Sequence, residues 1–552
     1  MKKIFSFCVL ILMGISLHAQ NAVVLNQNNP NPFKGNTEVY LSVSNPGEVR
    51  LIATDLYGTV QTQWSEYIEP GVHSFCLTLR TKGNYVLGAY QNEQSSSIIM
   101  FCNEGGETNT IVYNGKIDEV DAFDPEYSEA EMVADIDEQT EDFERIVRKQ
   151  SKKVQVSDFR VALSLSPFSF TQFKNGYSFI VGDKTATTPA DLQKIYRDLG
   201  STEMYCRIAT KRHVTATDIT DGEYDSNANF HTLDQGLELC KIAAALDIPI
   251  NPEIMCAYTY MDMDRQQAPR FDEYPEIYAL QNGKEWSELS LDEICTVLEA
   301  YGKFVAKEIL NTKCTVKNWN LGNEANYGFA GISMGLKTAV NPKLKKSTTI
   351  GKYLAPLMGV WWLKKNVWKY DAKAYLAVKN GILSAYDELN IDASDVKFST
   401  HIATVVSTPR CSAAFFKCMA MNGYVMETAG ISYYPSAPAM TFNKKKMLKR
   451  TISKINKKCE IPVFIGEFSY PSGKMSGDFA GWNKKLKGYS INEQGQQELY
   501  TDVLQWGKSH GMAGIRYWAP DYEGWYTMSM FEFKDKTGVA KPILTNHKQI
   551  VK

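Results

Sequence analysis

From Phe159 onward, short apolar runs alternate with segments of helical length, and this rhythm restricts the possible folds more than any other feature of the chain. The runs are nearly continuous in apolar residues, as in strands buried on both faces of a parallel sheet. They read FRVALSLS, EMYCRIA, IPINPEIM, VKNWNLGN, VKFSTHIA, TAGISYY, IPVFIGE and AGIRYW. Apolar residues at helical spacing predict amphipathic helices over 191–200, 232–247, 291–310, 372–390, 444–458 and 495–511.

Eight such repeats predict an α/β fold, a (β/α)8 TIM barrel with enlarged loops over residues 157–552. The alternative is a doubly wound open sheet. The absence of a Gly-rich phosphate turn after the first run disfavours that alternative.

Polar residues follow the ends of these runs, where side chains of a TIM barrel surround the active site. The ends carry Arg207, Asn323 with Glu324, His401, Tyr433 with Tyr434, Glu467, and Tyr517 with Trp518. Glu324 and Glu467 are therefore expected to face each other across one mouth. A retaining glycosidase uses two carboxyl groups about 5–5.5 Å apart, one protonated and one ionised.

These positions suggest a role for each residue. We expect Glu324 to be the acid/base and Glu467 the nucleophile, with Asn323 hydrogen-bonded to the sugar 2-hydroxyl. Arg207, together with Tyr433 or Tyr434, would keep Glu467 ionised. Two residues have alternatives. Glu253 is either a third mouth carboxylate or buried against Arg207, and His401 either contacts substrate or is a satisfied core histidine.

Tryptophans lie in or near the loops after the later runs. Indole rings stack on the apolar faces of sugars, so Trp482, Trp518 and Trp525 are candidate substrate contacts. For the set Trp361, Trp362 and Trp368, packing of a helix face on the barrel is the favoured interpretation.

The N-terminal part has a different pattern. Residues 21–115 contain short alternating runs with turn signals at regular spacing, which predicts a small all-β sandwich. An acidic linker is expected over 116–156. Cys76 and Cys102 could pair or stay free, and no cysteine spacing resembles a zinc site.

Residues 1–20 have two lysines, a short apolar run and a small residue at Ala19, which predicts a signal peptide and an exported protein, periplasmic, cell-surface or secreted. The formal net charge of -2 would become -4 without Lys2 and Lys3. So small a charge argues against nucleic acid or anionic membrane as partners. No later stretch is long and apolar enough to predict a membrane span.

Several motifs resemble a known family. LGNEANYG, GISYYPS, IPVFIGEFSYPSG, EQGQQELYTDVL and GIRYW are similar to clan A glycoside hydrolases, most of all to family 53 endo-β-1,4-galactanases, over about Phe159 to Phe533. The resemblance implies retaining hydrolysis of a β-linked plant polysaccharide, with β-1,4-galactan as the expected substrate. It implies the roles given above for Glu324 and Glu467, and it implies substrate contacts for Arg207, Asn323, His401, Tyr433 or Tyr434, and Trp518. It also implies no redox cofactor, although a calcium ion near Asp478 is conceivable.

Two departures from the family pattern leave other functions open. NPEIMCA places Met255 and Cys256 where a His-bearing motif is expected, and Ala519 stands where the family has Glu. One alternative is a carbohydrate-binding surface protein on a barrel that has lost hydrolysis. Another is a clan A hydrolase of a different β-glycan such as mannan. The N-terminal segment itself resembles the sorting domains of Bacteroidetes-type exported proteins, and a packing or sugar-binding role is equally compatible with its sequence.

Overall fold

A computed structural model describes residues 23–25, 28–55, 58–92, 94–117, 154, 156, 158–213, 230–346, 360–437 and 445–552. The predicted signal peptide at 1–20 and nearly all of the predicted linker at 116–156 lie outside these residues. The chain divides into two units, Met1–Glu138 and Gln139–Lys552.

The first unit is built from eight strands. They are β1 Val23–Leu25, β2 Asn29–Val43, β3 Gly47–Asp55, β4 Val60–Ile68, β5 Gly71–Thr78, β6 Gly83–Gln91, β7 Gln94–Gly105 and β8 Thr110–Ile117. Their order is β4-β3-β6-β7-β2-β5-β8, with β1 paired to β2. The long β2 pairs in parallel with β7 through residues 33–35 and antiparallel with β5 through 36–43, so one sheet is continuous through it. The Trp64 ring of β4 packs against Phe75 and Tyr113, at 4.8 and 5.5 Å between centroids. The two ends of the sheet therefore face each other over one core.

The alternating runs seen in the sequence lie in β2, β3, β5, β6 and β7. Sequence reasoning missed β1, β4 and β8. Most side chains of β4 are at least partly exposed, so the strand lacks the alternation that marks a half-buried strand. Cys76 and Cys102 are free thiols, as are the other cysteines of the described residues.

The second unit contains the predicted barrel. Its strands are β9 Arg160–Ala162, β10 Ser178–Val181, β11 Lys184–Ala186, β12 Met204–Ile208, β13 Ile250–Ile254, β14 Asn318–Leu321, β15 Gly328–Phe329, β16 Ile332–Ser333, β17 Lys397–Ala403, β18 Thr428–Tyr433, β19 Val463–Phe468, β20 Met512–Tyr517, β21 Phe531–Lys534 and β22 Thr537–Ala540. Eight of them form a parallel sheet in the order β12-β13-β14-β17-β18-β19-β20-β9. These are the eight runs read from the sequence, so the TIM barrel is confirmed.

The ring closes between β9 and β12 partly through side chains. The Tyr205 amide donates to the Ser164 hydroxyl at 3.0 Å, and the Thr202 amide donates to the Val161 carbonyl at 2.8 Å. The four strands β10, β11, β21 and β22 form a separate small sheet, and β15 with β16 forms a hairpin after β14.

The helices of this unit are α1 Ser169–Lys174, α2 Pro189–Asp198, α3 Leu233–Ala245, α4 Pro275–Tyr278, α5 Leu291–Asn311, α6 Val360–Leu363, α7 Lys369–Glu388, α8 Pro409–Met421, α9 Lys445–Cys459, α10 Glu493–Lys508, α11 Pro542–Thr545 and α12 His547–Ile550. A π-helical turn, Lys364–Trp368, joins α6 to α7. The six predicted helices correspond to α2, α3, α5, α7, α9 and α10.

Helix α8 was not predicted from the sequence. Its start carries a local signal nonetheless, because Thr408 caps the Cys411 amide and Pro409 occupies the first turn. Among the described helices, none is long and apolar enough to cross a membrane.

Candidate active site

The chain turns sharply at the end of β14. Gly322 has φ +76° and Glu324 has φ +45°. The amides of Gly322 and Ala325 donate to backbone carbonyls of β13 and β17 at 2.8 and 3.0 Å, so the neighbouring strands hold both sides of the turn. A left-handed conformation at a non-glycine residue is strained and persists where the surroundings fix it. The turn carries Asn323 and Glu324 into the barrel mouth together.

Glu467, at the end of β19, is surrounded by groups that stabilise its negative charge. Arg207 of β12 donates from Nη2 to Oε1 of Glu467, and the Tyr434 hydroxyl donates to Oε2 at 2.5 Å. Nε2 of His401 lies 3.8 Å from Oε1. Burial alone would raise the pKa of Glu467, but the charge of Arg207, the adjacent His401 and the Tyr434 hydrogen bond lower it to about 2. Glu467 is therefore ionised at neutral pH.

Glu253, on β13, occupies the other side of Arg207. Its Oε1 accepts from Arg207 Nε at 2.6 Å and from the Tyr205 hydroxyl at 2.9 Å. Its Oε2 accepts from Asn320 Nδ2 at 2.7 Å and lies 3.6 Å from Arg516 Nη1. Of the two alternatives left open by the sequence, the structure shows a carboxylate buried against Arg207.

His401 joins the two carboxylates. Its Nδ1 lies 3.3 Å from Oε2 of Glu253 and 3.1 Å from Asn320 Nδ2, while its Nε2 approaches Glu467. The ring is 1 % exposed. In this structure His401 supports the carboxylates from within the barrel.

The charges of this buried layer balance without Glu324. Arg207 and Arg516 carry two positive charges, and Glu253 with Glu467 carries two negative charges. A further buried carboxylate would lack a cationic partner, which is costly. Burial and the negative charge of Glu467 raise the pKa of Glu324 well above its usual range. Glu324 is therefore the carboxyl group that keeps its proton.

A hairpin after β13 contacts Glu324, and it was not predicted from the sequence. Residues 258–268 are closed by an isolated bridge between Met261 and Gln266. The Met263 amide donates to Oε2 of Glu324 at 3.4 Å. Asn323 Nδ2 donates to the Met261 carbonyl at 2.6 Å, while its Oδ1 accepts from Arg207 at 2.8 Å. The amide is held in one orientation and keeps one N–H for a ligand.

Trp518 follows β20 and packs on the guanidinium of Arg207. The Arg207 Cζ atom lies 4.3 Å from the centroid of the indole, and the Tyr205 ring meets it edge-on at 6.0 Å. A cation over an indole face is attracted to it, more strongly where water is excluded. Trp518 thus forms a wall beside the group that holds Glu467.

The other two predicted tryptophans form one aromatic cluster with Tyr434 and Phe479, here called the Trp482 cluster. The Trp482 ring lies 5.4 Å from Tyr434 and 5.8 Å from Trp525, and Phe479 lies 4.7 Å from Trp525. Because Tyr434 also binds Glu467, the cluster adjoins the reacting carboxylates. Trp482 is partly exposed, whereas Trp525 is buried.

Other aromatic residues divide between mouth and scaffold. Tyr434 is the tyrosine that contacts Glu467, whereas the ring of Tyr433 lies 6.2 Å from Phe468. The Tyr517 hydroxyl donates to the Met528 carbonyl at 2.7 Å and has a structural role.

The three tryptophans near α6 do not behave alike. Trp368 is buried and donates from Nε1 to the Asn326 carbonyl at 2.9 Å, which confirms packing on the barrel. Trp361 is 69 % exposed, so the packing interpretation is wrong for that residue. Trp362 is partly buried.

Sequence reasoning missed several residues of the mouth. Tyr205, Asn320 and Arg516 lie inside apolar strands, where a single polar residue could equally be structural. His231 and Tyr260 follow the strands β12 and β13 by many residues and belong to loops without a motif. Only their place after a barrel strand would have indicated them.

The positions that depart from the family pattern are buried at strand ends. Met255 and Cys256 follow β13 with no exposed surface, and Ala519 follows Trp518. Cys256 and Ala519 have φ of +49° and +47°, so the chain turns at both places much as it does at Glu324.

No metal centre is formed by the described residues, because no group of three or more His, Cys, Asp or Glu residues is arranged to hold an ion. The side chain of Asp478, near which a calcium ion was considered, lies outside the described part of the chain.

Comparison with known proteins agrees with the barrel fold. A solved structure titled as one of two fungal β-1,4-galactanases aligns with a TM-score of 0.51 at 14 % identity, covering 72 % of this chain and 100 % of that chain. The catalytic domain of an Ignisphaera aggregans family 53 protein aligns with a TM-score of 0.51 at 15 % identity, covering 72 % and 99 %. At these identities the alignments establish the barrel fold. No curated protein sequence matches the chain.

Residues 272–541 match the family model described as Glycosyl hydrolase family 53. This match supports a glycoside hydrolase. The match includes Glu324 and Glu467. It begins after β13, so Arg207, Met255 and Cys256 fall outside it.

Proposed function

We propose that this protein is a retaining glycoside hydrolase in which Glu467 is the nucleophile and Glu324 the acid/base. The observation that carries the proposal is the unequal environment of the two carboxyl groups. Glu467 is bound by a guanidinium and a phenol, whereas the carboxyl group of Glu324 receives a long backbone hydrogen bond from Met263 and lies near the negative charges of Glu467 and Asp262. One carboxylate and one carboxylic acid at the same mouth are what double displacement needs.

In the first step, the Glu467 carboxylate attacks the anomeric carbon and the glycosidic C–O bond breaks. The Glu324 proton passes to the departing oxygen, so the leaving group departs as a neutral hydroxyl. In the second step, the Glu324 carboxylate takes a proton from water, whose oxygen attacks the same carbon and releases Glu467. In this proposal the remaining N–H of Asn323 binds the sugar 2-hydroxyl during both steps, and its hydrogen bonds to Met261 and Arg207 support that role.

The proposed substrate is β-1,4-galactan. The support is the family 53 match at residues 272–541 and the fold shared with fungal β-1,4-galactanases. Mannan and other β-glycans are alternatives because loops, not the fold, determine substrate choice. The Trp482 cluster offers aromatic faces on which a sugar chain can stack.

The test is release of reducing ends from β-1,4-galactan, mannan, xylan and glucan, with NMR of the first anomer formed. The proposal expects turnover of galactan with retained β configuration. It also expects Glu467→Ala to lower kcat by about 10³-fold or more. Glu498→Gln, an exposed carboxylate of α10, is the control and should leave turnover unchanged. Full turnover by Glu467→Ala, or an inverted product, would exclude this mechanism. Binding without turnover would favour the non-hydrolytic alternative.

We also propose that the protein is exported, on the basis of the sequence of residues 1–20. N-terminal sequencing of the protein recovered from the producing cells is the test. A mature chain that starts near residue 21 in the exported fraction is expected. A full-length chain confined to the cytoplasm would contradict export.

A further inference from the structure

His231, immediately before α3, is buried with neither ring nitrogen bonded. The residue is 1 % exposed, and among the described residues neither Nδ1 nor Nε2 has a hydrogen-bond partner. Its backbone is fixed, because the Ala209 amide donates to the His231 carbonyl at 2.7 Å. A buried polar group without a partner is uncommon and costly, and it calls for a partner from water or a ligand.

The ring belongs to an aromatic wall of the barrel mouth. It stacks on Tyr260, with 5.5 Å between centroids and 22° between planes, and Phe168 approaches it edge-on at 6.3 Å. Phe168 in turn stacks on Tyr522 at 3.8 Å. His231 follows β12, Tyr260 follows β13, Phe168 follows β9 and Tyr522 follows β20. These four strands are consecutive around one side of the barrel. Side chains after these strands lie at the mouth, where substrate binds.

This wall lies within the electrostatic influence of the reacting groups. The charges of Arg207 and Glu467 both act on His231, and those of Glu467 and Glu324 act on Tyr260. Glu467 is 4 % exposed and His231 is 1 % exposed, so both side chains are buried at this end of the barrel.

The ring is uncharged at neutral pH. Burial, with the positive charge of Arg207, lowers the pKa of His231 well below its usual range. A neutral imidazole offers one donor and one acceptor. That pair matches a sugar hydroxyl, or two adjacent hydroxyls. It does not neutralise a carboxylate, so a uronic acid would gain no cationic partner from His231.

We propose that His231 is a substrate-binding residue that hydrogen-bonds a hydroxyl of the sugar next to Glu467, with Tyr260 fixing the plane of its ring. The ligand class is an uncharged hexosyl unit of a β-linked glycan. The inference rests on the proposed function, and it adds a specificity contact that the family 53 match at residues 272–541 does not include.

The experiment compares His231→Phe with His231→Asn in the full chain. Phenylalanine keeps the stacking on Tyr260 but loses both nitrogens, whereas asparagine keeps a donor and an acceptor. The readouts are kcat/KM on β-1,4-galactan, mannan, xylan and glucan, and oligosaccharide affinity by calorimetry in the Glu467→Gln background. Thermal unfolding checks that each variant folds. His510→Ala, at the opposite end of β20, is the control.

We expect His231→Phe to lower kcat/KM and affinity about tenfold, the value of one lost hydrogen bond. His231→Asn should recover a measurable part of both, and His510→Ala should match the wild type. A His231→Phe variant as active and as tight as the wild type would overturn the assignment while the proposed function stands. A wild-type protein that neither hydrolyses nor binds any of the four glycans would overturn both.

Discussion

Arg207 and Glu467 form a buried ion pair between the ends of β12 and β19, strands that are not neighbours in the barrel. The same guanidinium binds Glu253 through Nε at 2.6 Å. One cation therefore serves two buried carboxylates, and the ionisation of the proposed nucleophile depends on a residue contributed by a distant strand.

Replacing Arg207 with Met should move the acidic limb of the pH profile of kcat/KM to higher pH. Glu467 must be ionised to attack, and its pKa of about 2 rises when the guanidinium is lost. Breaking a buried pair also costs about 3–5 kcal/mol of stability. Arg207→Lys should shift the limb less. Arg160→Met, which breaks the Arg160–Glu203 pair at the other end of the barrel, should leave the limb in place.

Tyr434 and Tyr433 provide a matched pair of variants. Tyr434→Phe removes the hydrogen bond to Glu467 and should lower kcat/KM about 10- to 100-fold, the range for a hydrogen bond to a charged group. Tyr433→Phe should stay within about threefold of the wild type. Steady-state kinetics on the best substrate gives kcat/KM for both variants. Equal losses in the two variants would count against the assignment of Tyr434.

Glu324→Gln should stabilise the protein while it abolishes acid catalysis. A carboxyl group whose folded-state pKa is raised favours folding below its ordinary pKa, and this contribution is lost as the pH rises through the folded-state pKa. At pH 7 the wild type therefore bears a cost that an uncharged amide removes. We expect an unfolding midpoint about 2 °C higher at pH 7 and little difference at pH 4. A lower midpoint at pH 7 would contradict the protonated buried acid.

Two glycines test how closely His401 is packed. A Cβ at Gly430 would lie 2.3 Å from the His401 Cβ, whereas a Cβ at Gly466 would meet the same ring at no less than 3.6 Å. Gly430→Ala should cost about 1–3 kcal/mol and reduce kcat, because it displaces a ring that contacts Glu253 and approaches Glu467. Gly466→Ala should unfold close to the wild type. Chemical denaturation gives both values, and the reverse order would show that His401 moves freely.

Trp482 should contribute to binding of polymer and not to bond cleavage itself. Its partly exposed ring adjoins Tyr434 and Trp525, so Trp482→Ala should raise KM for polysaccharide about fivefold with kcat little changed. Trp361→Ala is the control, since that ring is 69 % exposed on α6. Similar effects of the two variants would mean that Trp482 is not a subsite.

The barrel could be predicted from the sequence because each of its strands is recognised from a short run of neighbouring residues. Each strand from β9 to β20 in the ring is a buried apolar run, and each end of a run shows which polar residue enters the mouth. That logic was sufficient for Glu324, Glu467 and Arg207. It was not sufficient for choosing between Tyr433 and Tyr434, because adjacent residues of a strand point to opposite faces and the register of the barrel is a tertiary property.

The positions of residues that lie in loops could not be predicted from the sequence. His231 and Tyr260 lie in loops after β12 and β13, and nothing in FHTL or AYTYMD reveals that the two rings stack. The capping of Glu324 by the Met263 amide is a backbone contact and leaves no trace in residue type.

The most direct test of the central claim is to trap the covalent intermediate. An activated 2-deoxy-2-fluoro β-galacto-oligosaccharide should react with the wild-type protein and stay attached. The fluorine slows both the formation and the hydrolysis of the covalent intermediate, and the activated leaving group restores the rate of formation only. Mass spectrometry of the peptic digest should then locate the sugar on the Glu467 carboxylate and show none in Glu467→Gln. A sugar attached to another residue, or no adduct from a protein that turns over galactan with inversion, would contradict the account.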